Sequence, residues 1–307
     1  MLSYLIRRLL QSVFVLIGIT LFVSFTIRLS GDPAVAMFQG ASAPTAEQLV
    51  TIRKQLGTDR PFMTQYLSFL AGLLHGDLGT SFRSGQAVSE EVAGRFPATL
   101  ALAMTALAVS LALAVPLGVI AARRRGSGSD LAIRVFSLLG LSFPNFWLGI
   151  MLILIFAVRL RWLPPSGYSG PDSLIVPGLT LGLILASTTT RLVRSSLLDV
   201  LGEQYVTTAR AKGITEQRVL YRHALRTALI PVVTYIGLQF GALLGGVVIV
   251  EQVFAWPGLG SLALNAISFR DYPTLQGTVT VLAIFIAAIN LLVDLSYALL
   301  DPRIRYG

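Results

Sequence analysis

The chain has 307 residues, 54% of them hydrophobic and only 13% charged, with a mean hydropathy of +0.73 and a formal net charge of +9. A soluble globular protein carries about 25% charged residues, so this chain cannot be wrapped in water-facing surface. A soluble enzyme and a disordered or fibrous chain are excluded, and the basic excess is read against a membrane rather than nucleic acid. There is no cysteine, hence no disulfide framework, thiolate metal site or cysteine nucleophile.

A bilayer core takes about 20 apolar residues in one helix, because hydrocarbon cannot solvate unpaired backbone groups. Stretches free of Asp, Glu, Lys and Arg predict six spans: Leu9–Ile27, Phe96–Ala122, Val135–Val158, Ser173–Thr190, Thr227–Val250 and Tyr272–Val293. Arg7-Arg8, the first apolar run and Ala34-Val35-Ala36 could mimic a secretory signal, but the run is longer than such a core and is read as a retained span. Pro61–Gly76 is short and reads as an amphipathic helix at the interface. Trp256-Pro257-Gly258-Leu259-Gly260 reads as a turn. Ser261–Phe269 after it is too short to cross and is expected to be a re-entrant or surface helix. Pro116 and Pro144 mark kinks or packing irregularities within spans.

Cations set the orientation. With six spans, one face collects fifteen Lys and Arg against five acids, while the other holds nine of each, so the first face is cytoplasmic and both termini lie inside. Residues 29–95, on the outer face, are too long for a mere connector. The remainder, 96–300, forms a five-span core within a single transmembrane domain, with a cytoplasmic loop at 191–226.

Several chemistries are missing. His75 and His223, the only histidines, fall on opposite faces and cannot share a metal or a catalytic dyad. No Gly-x-Ser-x-Gly elbow is present. Neither lysine, Lys54 or Lys212, lies in the Gly-Lys-Ser/Thr context of a Walker A loop. The expectation is no catalytic site, no metal and no cofactor bound by this chain; energy from ATP would have to arrive through another polypeptide.

The most informative segment is Arg191–Arg226. Leu197, Leu198, Leu201 and Tyr205 recur at helical spacing, as do Arg218, Arg222 and Arg226. Gly213 reads as the break between two short helices. Thr208, Ala209 and Ala211 are small enough for a partner's backbone to approach. On spacing alone, this is either a basic helix resting on anionic lipid or a docking element.

Tyr205-Val206-x-Thr208-Ala209-Arg210-Ala211-Lys212-Gly213, followed by Arg222-His223-Ala224-Leu225-Arg226, resembles the EAA loop of ABC importer permeases, in the dipeptide/oligopeptide/nickel version. Glu251-x-Val253-Phe254-x-Trp256-Pro257-Gly258-Leu259-Gly260 is similar to that family's signature after span five. Gly31-Asp32-Pro33, Leu56-Gly57-x-Asp59-x-Pro61, Gly76-Asp77-x-Gly79-x-Ser81 and the tail Asp301-Pro302-Arg303-Ile304-Arg305 match as well. The chain departs from the general pattern where Thr207-Thr208-Ala209 replaces Glu-Ala-Ala and His223-Ala224-Leu225-Arg226 replaces Ile-x-Leu-Pro.

The resemblance implies an all-α, six-span, type I importer permease of the bacterial inner membrane. It implies a homologous second permease, two ATPase subunits that bind the ATP and magnesium, and an external binding protein that docks over the outer segment. Glu203, Tyr205, Thr208, Ala209, Arg210, Ala211, Lys212, Gly213, His223 and Arg226 would couple to an ATPase. The cargo implied is di- or oligopeptides, with glutathione, nickel chelates and some glycosides among relatives. The rival reading is a secondary transporter or channel needing no ATPase, marked by inverted repeats, broken helices in matching positions or several intramembrane charges.

Asp294 is the acid within a span. It is either functional or paired with a cytoplasmic arginine two turns from the helix end. Asn145, Gln239, Glu251 and Asn290 join it as possible pathway or gating residues, although helix-to-helix hydrogen bonding is the commoner fate of such amides.

Overall fold

The computed structural model describes residues 2–29, 31–38 and 44–300, with side chains at all of these except 2–5, 242, 244–246 and 294–300. The regular structure of the described residues is helical, apart from an isolated antiparallel bridge between Thr80 and Ala87. Four helices are long and apolar enough to cross a bilayer: Ile6–Leu29, Val88–Arg123, Pro171–Leu201 and Tyr272–Val293. Two bent pairs, Gly128–Ser142 with Asn145–Arg159 and Glu216–Ala228 with Ile230–Gly241, bring the number to six if each pair is one span.

The chain divides into two compact units. One runs through Thr99 and resumes over Pro257–Leu291. It holds α1 (Leu2–Leu29), α2 (Pro33–Ala36), α3 (Ala46–Leu56), α4 (Phe62–Leu74) and the start of α5 (Val88–Arg123). Its caps are local. The Asp32 carboxylate accepts from the Ala34 amide at 2.9 Å to start α2. Thr45 and Gln48 form a reciprocal capping box that starts α3.

The second unit takes Leu100–Trp256 and resumes at Leu292. It contains the rest of α5, then α6 (Gly128–Ser142) and α7 (Asn145–Leu152), which continues as a π-helix over Ile153–Arg159. Next come α8 (Ile175–Leu201), α9 (Gln204–Ala211) and α10 (Glu216–Arg218), a π-helical stretch Val219–Ala224, α11 (Leu225–Ala228), α12 (Ile230–Gly246) and α13 (Val248–Val253). Helices α14 (Leu259–Ser268) and α15 (Tyr272–Leu300) follow, α14 and residues 272–291 belonging to the first unit.

Glycines let α8 lie against its neighbours. A Cβ on Gly118 of α5 would stand 2.6 Å from the Val193 side chain, and one on Gly182 of α8 would stand 2.6 Å from Val109. Val119, Ala122, Val193, Leu197, Leu220, Ala224, Ala228 and Val232 form the buried apolar cluster beyond that contact.

The break expected at Pro144 is present, and the loop expected from Arg191 is corrected. Val135–Val158 is not one straight span: α6 and α7 meet at 105°, because Phe143 precedes Pro144 and is forced into extended backbone (φ −89°, ψ 130°). Pro116, by contrast, lies within the unbroken α5. The supposed loop from Arg191 begins as helix, since α8 continues to Leu201 and is closed only at Gly202. Leu197, Leu198 and Leu201 therefore belong to α8 and Tyr205 to the next helix. The predicted short segments after Pro61 and around Ser261–Phe269 are the helices α4 and α14. Asp301, Arg303 and Arg305 lie outside the described residues.

Candidate coupling site

Helix α9 is held from beneath and bare above. Val206 is fully buried, whereas Glu203, Tyr205, Thr208, Arg210, Ala211, Lys212 and Gly213 are exposed and Ala209 half-buried. Its end is built by the αL turn that glycine favours: Gly213 has φ +75°, the Gly213 amide donates to the Arg210 carbonyl at 2.9 Å, and the Ile214 amide donates to the Ala209 carbonyl at 3.3 Å. A Cβ at Gly213 would meet no atom within 4 Å, so backbone conformation, not internal space, selects glycine here.

Across this turn the Arg210 guanidinium grips Glu216, with Nε donating to Oε1 at 2.7 Å and Nη2 to Oε2 at 3.3 Å. Both side chains are largely exposed. A cavity of about 130 Å³ lies below, lined by Arg123, Leu201, Arg210, Glu216, Gln217 and Leu220. Arg218, Arg222 and Arg226 are exposed, while His223 is half-buried within the π-helical stretch. This stretch is anchored by Val219, Leu220 and Ala224, all buried, and the Ser196 hydroxyl donates to the Ala228 carbonyl at 2.9 Å. The arrangement is a small, basic, outward-facing knob on an apolar footing.

The footing carries an ion pair that sequence reasoning missed. Asp130, on the first turn of α6, is almost wholly buried and accepts from Arg194 Nε at 2.7 Å and Nη2 at 2.9 Å. The Gly126 amide donates to the same carboxylate at 3.0 Å, and Arg134 lies 3.6 Å away. The available signal was Ser127-x-x-Asp130, an acid placed at a capped helix start.

The possible pathway residues fall on separate elements. Asn145, Gln239 and Asn290 are half-buried, and Asn290 belongs to the first unit while the other two belong to the second. Glu251 is fully buried at the end of α13, where its carbonyl accepts from the Trp256 amide at 2.7 Å. The side chain of Asp294 lies outside the described residues. The signature around Glu251 forms a rigid turn: Ala255 takes φ +47°, the Phe254 carbonyl accepts from the Gly167 amide at 2.7 Å, and Trp256 meets Tyr168 edge to face at 5.0 Å. Farther along, the motif serine Ser81 donates to Asp271 at 2.6 Å, and Asp271 also accepts from the Thr274 hydroxyl at 2.9 Å at the start of α15.

Comparison with known proteins decides the family. Residues 114–306 match the family described as "Binding-protein-dependent transport system inner membrane component", and residues 1–103 match its N-terminal counterpart, "Binding-prot-dependent transport system membrane comp, N-term". The chain belongs to this permease family. The glutathione transport system permease protein GsiC of Salmonella choleraesuis (strain SC-B67) is 43% identical over all 307 residues, with full coverage of both chains. The protein of the same name from Escherichia coli (strain K12) is 42% identical with the same coverage.

Among solved structures, the inward-facing MetNI methionine ABC transporter aligns with 68% of this permease and 96% of its own chain (TM-score 0.57, 20% identity). An amino acid ABC transporter aligns with 67% and 92% (TM-score 0.51, 15% identity). The permease therefore has the all-α importer fold, resides in the inner membrane and works within a binding-protein-dependent ABC system. Of the marks expected for a transporter without an ATPase, broken helices do occur, but their bends are unlike, 105° and 43°. Family membership sets that rival aside.

Proposed function

We propose that this permease forms half of the translocation path of an ATP-driven importer of short peptides, glutathione foremost, and that α9 with the Gly213 turn is the element an ATPase subunit grips. The path is completed by a homologous second permease, with two ATPases binding the ATP and magnesium inside and a binding protein delivering cargo outside. The permease itself catalyses no reaction and holds no cofactor.

The observation that carries this reading is the exposure of α9 on a buried footing. Shifting a two-state transporter from 1:99 to 99:1 needs about 5.5 kcal/mol of differential interaction. One exposed ion pair supplies about 0.2–1 kcal/mol, so no single arginine suffices. A whole helix entering a partner's cleft, with Thr208 and Ala211 permitting close approach, can supply it. Glutathione is favoured because the relatives that match over their full length carry that name.

The test is uptake of labelled glutathione and a tripeptide panel by cells stripped of their own importers and expressing this permease with its partner subunits. Uptake that requires ATP hydrolysis and is lost on Gly213→Val supports the reading. Uptake by the purified chain alone in vesicles overturns it, and transport of other tripeptides but not glutathione overturns the cargo.

A further inference from the structure

Three motifs of the outer segment have no part in coupling, yet they converge on one arginine. Arg28 sits in the last turn of α1, at the end of the span away from the arginine-rich face. Its guanidinium lies 4.9 Å from the Phe62 ring centroid and 5.3 Å from that of Tyr272. Nη2 donates to Gln65 Oε1 at 2.6 Å and Nη1 donates to the Ser24 carbonyl. Nε is buried and has no hydrogen-bond partner among the described residues.

Arg28 also stands between two cavities of about 270 Å³ each, and lines both. Gly31 and Asp32 from the first motif line one; Gly57 from the second, and Asp77 and Gly79 from the third, line the other. The acids are engaged: Asp32 is paired with Arg53 at 2.5 Å and Asp77 accepts from the Gly79 amide at 2.8 Å. Arg28 and Arg53 against Asp32 in one cavity, and Arg28 and exposed Arg60 against Asp77 in the other, leave both electropositive on a face whose formal charges balance overall.

We propose that this is an oxyanion site and that its occupant is the phosphate of a membrane phospholipid. The depth is right, since the last turn of a span meets the headgroup layer. A guanidinium that lines both cavities, lies beside two aromatic rings and keeps an unpaired N–H can offer charge-assisted donors to phosphate oxygens. Apolar surface for acyl chains adjoins it: Phe22 and Phe25 on α1, and Met63 and Leu67 on α4, are all more than half exposed. A free solute oxyanion has the same head chemistry but no use for that apolar surface.

The test is native mass spectrometry of the full-length permease extracted from the membrane, titrated with dioleoyl phosphatidylglycerol and, separately, with inorganic phosphate. Retention of one phosphatidylglycerol, weakened about tenfold or more in Arg28→Gln by loss of a charge-assisted contact, supports the site. Arg60→Gln, at an exposed position, should weaken retention about threefold through a lost surface charge. It serves if Arg28→Gln does not fold. Equal retention by the wild type and by whichever of these variants fold overturns the site. Displacement of the lipid by equimolar inorganic phosphate overturns the lipid as occupant.

Discussion

Asp130 and Arg194 are joined by two parallel hydrogen bonds of 2.7 and 2.9 Å across the α6–α8 contact, with the carboxylate almost fully buried and the guanidinium one-fifth exposed. The pair ties the first turn of α6 to the stretch of α8 that leads into α9. Removing one partner of such a pair strands the other, at a cost of about 3–5 kcal/mol. Arg194→Ala should therefore lower the thermal unfolding midpoint of the purified permease sharply. Asp130→Asn, which keeps the shape and loses the charge, should cost about 1.5–3 kcal/mol. Both are read by the unfolding of helical circular dichroism.

Gly213 separates conformational strain from steric blockage. A non-glycine residue in the αL region costs about 1–2 kcal/mol, less for asparagine. Gly213→Asn should preserve much of the substrate-stimulated ATP hydrolysis of the assembled complex, and Gly213→Val should abolish it with normal membrane insertion. Equal activity of the two variants would contradict a coupling role for the turn.

The Arg210–Glu216 grip is exposed, so Glu216→Gln should change stability by less than about 1 kcal/mol. Val206→Ala removes the buried anchor of α9 and should cost about 2 kcal/mol. If α9 is the gripped element, Val206→Ala also uncouples hydrolysis from substrate while Glu216→Gln does not. Hydrolysis assays with and without the binding protein distinguish the two.

Ser81 and Asp271 share one network at the start of α15. Asp271→Ala removes a helix cap and the acceptor for Ser81, Thr274 and the Phe82 amide, at a cost of about 1–3 kcal/mol. Ser81→Ala should cost less, and the double variant less than the sum, because both changes break the same bonds. A double-mutant cycle on unfolding midpoints measures the shortfall.

The four long apolar helices were legible because the length of an uncharged run is a property of one segment alone. The bend at Phe143 was half legible: Pro144 marked a break, but its 105° angle depends on the packing of α6 and α7 against α8. The continuation of α8 past Arg191 was hidden, since charged residues there suggested a loop while Val193 and Leu197 bury the helix's other face. The Gly213 turn could be read from its glycine. The partner of Asp130 could not, because Arg194 lies 64 positions away and only the tertiary contact brings the two together.

At the corner between α6 and α7, the last carbonyls of one helix and the first amides of the next have no partner within their own helix. Residues 141–144 there are exposed. Oil offers such groups nothing to bond with. Wherever this elbow sits within the bilayer, it must therefore be sheltered by a neighbouring subunit or bathed by an aqueous pore, and it marks the side of the permease that lipid tails never touch.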